Sequence, residues 1–249
     1  MILFGVVNAS PDSLATDSIA TTPDAAMDRA RRLLAEGADA IDLGGQGSTD
    51  IADVVDWSAE WSRVEHLIPA LATLGIELSI DSWRPEVVSR ALQAGATVIN
   101  AADGMQSDER WHVASDFDVP IVIPFLSGPD PKRMTKVSTD PIEAMTDFFR
   151  TRLADADRYG ARARCIIDPG TGFAPPEWPW EERFAYQKHV YSNLDELRRF
   201  GLPIYIALPW KDTVQHDELL DIVVQQRPDF GRCHYPAKIR EFERRHEAT

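Results

Sequence analysis

The chain has 249 residues, 44% of them hydrophobic, with a formal net charge of −14. That length suits one large domain able to bury a core without disulfide or metal staples, and the two cysteines, Cys165 and Cys233, form no CxxC pair. The acidic balance speaks against a nucleic-acid partner, which needs a basic footprint, and no apolar run reaches the roughly 18 residues of a membrane span.

Met1 runs straight into the apolar stretch Ile2–Val6 with no basic leader, so a reducing cytoplasm is the expected setting. Thr22-Pro23-Asp24 then supplies an N-cap, a proline at the first helical position and an early acid. From there one pattern recurs: a helical stretch ends at glycine, a short apolar run follows, and a polar residue closes it. Gly37 leads through Ala40–Leu43, with Asp42 inside the run, and Gly75 leads through Glu77–Ile80 to Asp81. Between them Val64, Leu67, Ile68 and Leu71 recur at helical spacing, which turns Arg63, Glu65 and His66 outward. Gly95 leads through Thr97–Ile99 to Asn100, and Ile121–Ile123 is the next apolar run. Asp140-Pro141-Ile142-Glu143 opens another helix as a capping box. Gly160 precedes Cys165–Ile167 and Asp168, and Gly201 precedes Ile204–Ala207, with Lys211 beyond. A helix from about Asp217 to Gln226 and a weaker strand at Phe230–Cys233 finish the series.

Glycine at these helix ends takes the left-handed conformation at little cost. Continuous apolar runs are the mark of parallel strands buried on both faces. The alternation predicts a single α/β domain over residues 1–249, a (β/α)8 TIM barrel with a shortened eighth unit; an open sheet of seven strands is the alternative. In such a barrel the loops after the strands share one face. Asn8, Asp42, Asp81, Asn100, Asp168 and Lys211 are therefore expected to converge, although each alone is equally a good turn former or helix cap.

The residues at these strand ends resemble a known family. Asn8-Ala9-Ser10-Pro11-Asp12-Ser13 resembles the N-x-[ST]-P-D-S loop of dihydropteroate synthases. Asp42-Leu43-Gly44-Gly45-Gln46-Gly47-Ser48-Thr49 is similar to their D-I-G-G-E-S-T loop with one insertion. Ser79-Ile80-Asp81-Ser82, Gly95 to Asn100, and Ile167-Asp168-Pro169-Gly170-Thr171-Gly172-Phe173 resemble the S-I-D-T, A-G-A-x-x-I-N-D and L-D-P-G-x-G-F segments in the same order. The resemblance implies a pterin pocket in which Asp81, Asn100, Asp168 and Lys211 read the ring. A pterin's amino-amide edge offers two N–H donors that a carboxylate accepts together. By the same resemblance Asn8 helps hold Mg²⁺ and the substrate's diphosphate, Arg232 and His234 grip the leaving diphosphate, Phe173 lies beside an arylamine, and the protein forms a homodimer. The implied reaction expels pyrophosphate from a pterin-methyl diphosphate as p-aminobenzoate attacks.

Departures from the family pattern gather at the second substrate. Its S-T-R becomes Ser48-Thr49-Asp50, and its S-R-K-S becomes Pro209-Trp210-Lys211-Asp212. Asp212 would set a negative charge against the acceptor carboxylate. The loop-one acid falls on Thr16 beside Asp17, the acid after Asn100 is Ala101, and Ala174-Pro175-Pro176 replaces polar residues after Phe173. Trp178-Pro179-Trp180 is either a new wall for the mouth or a packed loop. Trp57, Trp61 and Trp111 read as packing or rim residues, and His66, His112, His189, His216 and His246 as helix-surface residues. With no HxxxH or Cys/His cluster, a metal held by protein ligands alone is not expected. The identity of the second substrate stays open, and two further readings stand beside the transferase: a pterin-dependent methyltransferase domain and a catalytically inactive pterin-binding paralogue.

Overall fold

The computed structural model describes residues 1–13, 15–48, 52–173 and 178–247. Its first half runs β1 (Ile2–Asn8), α1 (Pro23–Ala35), β2 (Ala40–Gly44), α2 (Trp57–Val64), α3 (Leu67–Ala72), β3 (Leu78–Asp81), α4 (Pro85–Ala94) and β4 (Val98–Asn100). Then come α5 (Asp108–Ser115), β5 (Ile121–Pro124), α6 (Pro141–Arg158), β6 (Cys165–Asp168), α7 (Trp180–Ser192) and α8 (Asp195–Arg198). The chain finishes with β7 (Tyr205–Ala207), α9 (Val214–Gln226), β8 (Phe230–Cys233) and α10 (Pro236–Glu247). The anticipated helix-end glycines Gly37, Gly75, Gly95, Gly160 and Gly201 all have positive φ, from 63° to 117°. This is the conformation that frees the chain to leave a helix and enter a strand.

The strands form one parallel sheet in the order β6-β5-β4-β3-β2-β1-β8-β7. A parallel bridge from Ile167 to Ile204 closes it, with the Ile167 N–H donating to the Pro203 carbonyl at 3.0 Å. The sheet is therefore the barrel and not an open array. The eighth unit, expected short, is the four-residue β8 and the 12-residue α10, separated only by His234 and Tyr235.

Side chains alternate along a strand, so residues two apart share a face. Phe4, Ala40, Val98, Val122, Ile166 and Tyr205 meet in the lumen as a cluster separate from the helix-facing core, with Phe230 against it. Phe4 and Tyr205 pack with ring centroids 5.7 Å apart. One step along the same faces toward the C-terminal mouth come Asp42, Asn100, Asp168 and Arg232, with Asp81 level with Asn100 across β3 and β4. The apolar plug is thus the base on which a polar layer sits.

Outside the barrel, Val64, Leu67, Ile68 and Leu71 are buried in the main core, as their spacing implies, and Leu33 joins them. Trp111 is also core, 1% exposed and stacked on Tyr159. Arg63 departs from its expected outward course. Its guanidinium donates to the Gly45 carbonyl at 2.9 Å and to the Ser10 hydroxyl at 3.4 Å, tying the loops after β1 and β2 together. Helical spacing places a Cβ, but a side chain this long can turn its charged end back over the sheet. No helix among the described residues is long and apolar enough to cross a membrane.

Candidate functional site

A cavity of about 530 Å³ opens over the C-terminal ends of the strands. Asn8, Asp81, Phe173, Lys211, Arg232 and His234 all line it. Asn100 and Asp168 do not. They are buried in the polar layer, 7% and 4% exposed.

Asp42 organises that layer. Its carboxylate is fully buried and accepts from Arg232 Nε at 2.5 Å through Oδ2 and from Asn100 Nδ2 at 3.2 Å through Oδ1. Arg232 Nη2 donates to Asp81 Oδ2 at 3.0 Å, so one guanidinium bridges two acids across 190 and 151 residues of chain. The resemblance assigned Arg232 to a diphosphate alone. The structure pairs it with Asp42 and Asp81, because a buried acid such as Asp42 needs a paired cation. Two of its five N–H groups are used on these acids, and among the described residues the other three have no hydrogen-bond partner.

Burial raises the Asp81 carboxyl to about 7, against the pull of Arg232 and with help from Asp42, Glu60 and Asp168. Burial likewise raises Asp168 to about 7, although the Gly170 N–H and Arg232 favour its charged form. Asp168 Oδ1 accepts from Gly170 N at 2.8 Å, and among the described residues its Oδ2 accepts from no donor. Arg232 is held charged above its ordinary value: burial opposes the charge, but Asp42 and Asp81 outweigh it. His234 is driven down to about 3 by burial and by the positive charges of Arg232 and Arg29, so its ring is neutral. Its Nδ1 is buried without a hydrogen-bond partner among the described residues.

The remaining expected residues sit around the mouth. Asn8 Oδ1 accepts from Ser10 N at 3.0 Å, which fixes its amide at the turn after β1. Lys211 is exposed, with Nζ 5.7 Å from the Trp210 ring centroid. Asp212 does not line the cavity; its side chain is 94% exposed and meets Lys238 Nζ at 2.9 Å. Asp17 lies 3.5 Å from Arg29 and accepts from Tyr235 Oη at 3.3 Å, while Ala101 is fully buried. Thr49, Asp50, Ala174, Pro175 and Pro176 lie outside the described residues. Trp178 and Trp180 both line the cavity, and each is also packed, Trp178 on Tyr186 and Trp180 on Phe184.

A family profile for pterin binding enzymes matches residues 4–227. The chain is 32% identical over 217 residues to dihydropteroate synthase type-2 of Escherichia coli, covering 85% of this chain and 77% of that protein. The chain belongs to the dihydropteroate synthase family. A solved Xanthomonas albilineans dihydropteroate synthase with 4-aminobenzoic acid superposes with a TM-score of 0.84 at 26% identity, covering 99% of this chain and 92% of that one. A Yersinia pestis dihydropteroate synthase with a sulfonamide drug complex has the same fold, with a TM-score of 0.85 at 24% identity over 99% and 93% of the two chains.

Within that family frame, several cavity residues escaped the sequence reading. His216, read as a helix-surface residue, lines the mouth and stacks on Trp180 with centroids 4.5 Å apart and planes 2° from parallel. Arg183, Gln187 and Tyr191 of α7 also line it. Gln187 Nε2 donates to the Thr171 carbonyl at 2.7 Å and Tyr191 shares a hydrogen bond with the Thr171 hydroxyl at 2.9 Å, which sets the loop leading to Phe173. Arg29 of α1 donates to the His234 carbonyl at 2.9 Å. No strand-end motif marks these residues; they reach the site from helices.

Proposed function

We propose that this chain binds a reduced pterin carrying a methyl diphosphate and transfers the pterin's methylene group to an aromatic amine, releasing pyrophosphate. The observation that carries the reading is Asp168, a buried carboxyl with one oxygen fixed by Gly170 and the other open, in the layer on which the cavity rests. Relatives that are dihydropteroate synthases support it.

In this reading Asp168 accepts the two N–H donors of the pterin's amino-amide edge. Asn100, with Nδ2 already given to Asp42, keeps its carbonyl oxygen and one N–H for the ring. Asp81 accepts a further ring donor, and Lys211 donates to a ring acceptor from the rim. The three spare N–H groups of Arg232 and the neutral ring of His234 receive the diphosphate. The C–O bond between methylene and diphosphate breaks with its electron pair on the leaving group, and donors aimed at that charge are what lowers the barrier. The amine's lone pair forms the new C–N bond, and the amine loses one proton to solvent. Phe173 borders the incoming ring.

Magnesium fits the donor set. It favours oxygen ligands and keeps waters and substrate phosphates in its shell, and Asn8 offers a hard amide oxygen with one lone pair beyond the Ser10 contact. When bound it would neutralise diphosphate charge. Among the described residues no group of three or more His, Cys, Asp or Glu could hold a metal, so the substrate would provide most of the coordination.

A pyrophosphate-release assay with 6-hydroxymethyl-7,8-dihydropterin diphosphate, Mg²⁺ and a panel of arylamines tests the reaction. Release that requires all three components is expected. Pterin binding without release for any amine would point to an inactive binding protein. Pterin affinity unaffected by omitting both Mg²⁺ and the diphosphate would favour a methyltransferase-type site.

A further inference from the structure

Two cations without an acidic partner among the described residues line the cavity near His216. Arg183 Nη2 donates to the Gly172 carbonyl at 3.1 Å, but its Nε is buried with no hydrogen-bond partner, and no carboxylate pairs with it among the described residues. Lys211, across the same cavity lining, also has no acidic partner among the described residues. Burial pulls the Arg183 pKa down, so its charge is held at a cost that an arriving anion would offset. Both cations act on His216. Burial lowers this imidazole first, then Lys211, Arg183 and Lys238, with Asp217 pulling the other way.

This corner is also flat and rigid. Trp180 Nε1 donates to Gln215 Oε1 at 2.5 Å, and the Thr213 hydroxyl lies 2.7 Å from His216 Nδ1, which locks the stacked pair. Trp178 Nε1 is a second buried donor without a hydrogen-bond partner among the described residues. Unmatched buried donors on a cavity wall mark a place for a ligand's acceptors.

We propose that Arg183 is the specificity-determining residue for the second substrate, receiving an anionic group of an aromatic amine whose ring packs against the wall of Trp180 and Phe173. The grip on the acceptor then comes from α7, the helix after β6. This rests on the transferase reading for its reaction but not for its binding chemistry.

The test uses the intact chain with 4-aminobenzoate and aniline, which differ in the anion alone. In pyrophosphate release, Arg183→Gln is expected to raise the KM ratio of 4-aminobenzoate to aniline by about tenfold or more, and Arg183→Lys to restore part of it. A ratio unchanged in Arg183→Gln overturns the inference. By NMR, adding 4-aminobenzoate is expected to raise the His216 pKa in the parent chain and not in Arg183→Gln; equal shifts in both overturn it. An NMR shift that depends on Arg183 without pyrophosphate release would leave this inference standing and sink the transferase reading. Release with equal ratios would do the reverse.

Discussion

Asp168 is buried where its charge burdens the fold. Its folded pKa, raised to about 7, lies above the ordinary carboxylate value near 3.9. The folded state therefore binds the proton more tightly than the unfolded chain. Stability from this group is greatest below about pH 4 and is lost as pH rises toward 7. Replacing Asp168 by Asn keeps an oxygen for the Gly170 N–H and removes the charge. The variant is expected to melt roughly 3–8 °C higher than the parent at pH 8, with the gap shrinking toward pH 4, as thermal melts across that range would record. The same change is expected to weaken pterin binding about 100-fold, because an amide cannot accept two donors as a carboxylate does. A variant that is destabilised at pH 8 would show that Asp168 is structural. Asn8, Asp81, Phe173, Lys211, Arg232 and His234 were legible as cavity residues because each closes or follows a strand. Arg183, Arg29, Arg63 and His216 were not. Each reaches its partner from a helix, and helical periodicity fixes the direction of a Cβ but not the end of a long side chain.

At the scale of the element, legibility was highest where a local rule fixes the backbone. The glycines after α1, α4 and α6 fell where the chain has to turn back toward a strand. Caps were equally readable: Thr22 accepts from Ala25 N at 3.3 Å, and Asp140 accepts from Ile142 N at 2.9 Å and Glu143 N at 3.1 Å. Asp140→Ala should lower stability by about 1 kcal/mol in denaturant melts and leave pterin affinity as it was, since α6 only supports the barrel. A loss of pterin binding would mean that the helix positions the site directly. What the sequence could not foresee was α7. The positions of one face, Trp180, Arg183, Gln187 and Tyr191, line the mouth, and Gln187 and Tyr191 are also buried against the barrel. A helix whose inward face mixes charged, polar and aromatic residues shows no clear apolar stripe.

For the whole molecule, the barrel divides its labour by height. An apolar layer around Phe4 and Tyr205 plugs the lumen, and the polar layer above it is held together by Arg232 between Asp42 and Asp81. The alternation of apolar runs with glycine-ended helices was enough to read that plan from sequence, as was the family that fills it. The contacts joining β2, β3 and β8 through one guanidinium, and β4 to β2 through Asp42, were not readable, since they link residues 58 to 190 positions apart. The most direct test of the pterin site is calorimetric titration of the chain with 6-hydroxymethyl-7,8-dihydropterin diphosphate and Mg²⁺, beside Asp168→Asn. A one-to-one isotherm with a Kd in the micromolar range, lost in the variant, is the expected result. No heat of binding in the folded parent chain, or equal affinity in both proteins, would contradict the account.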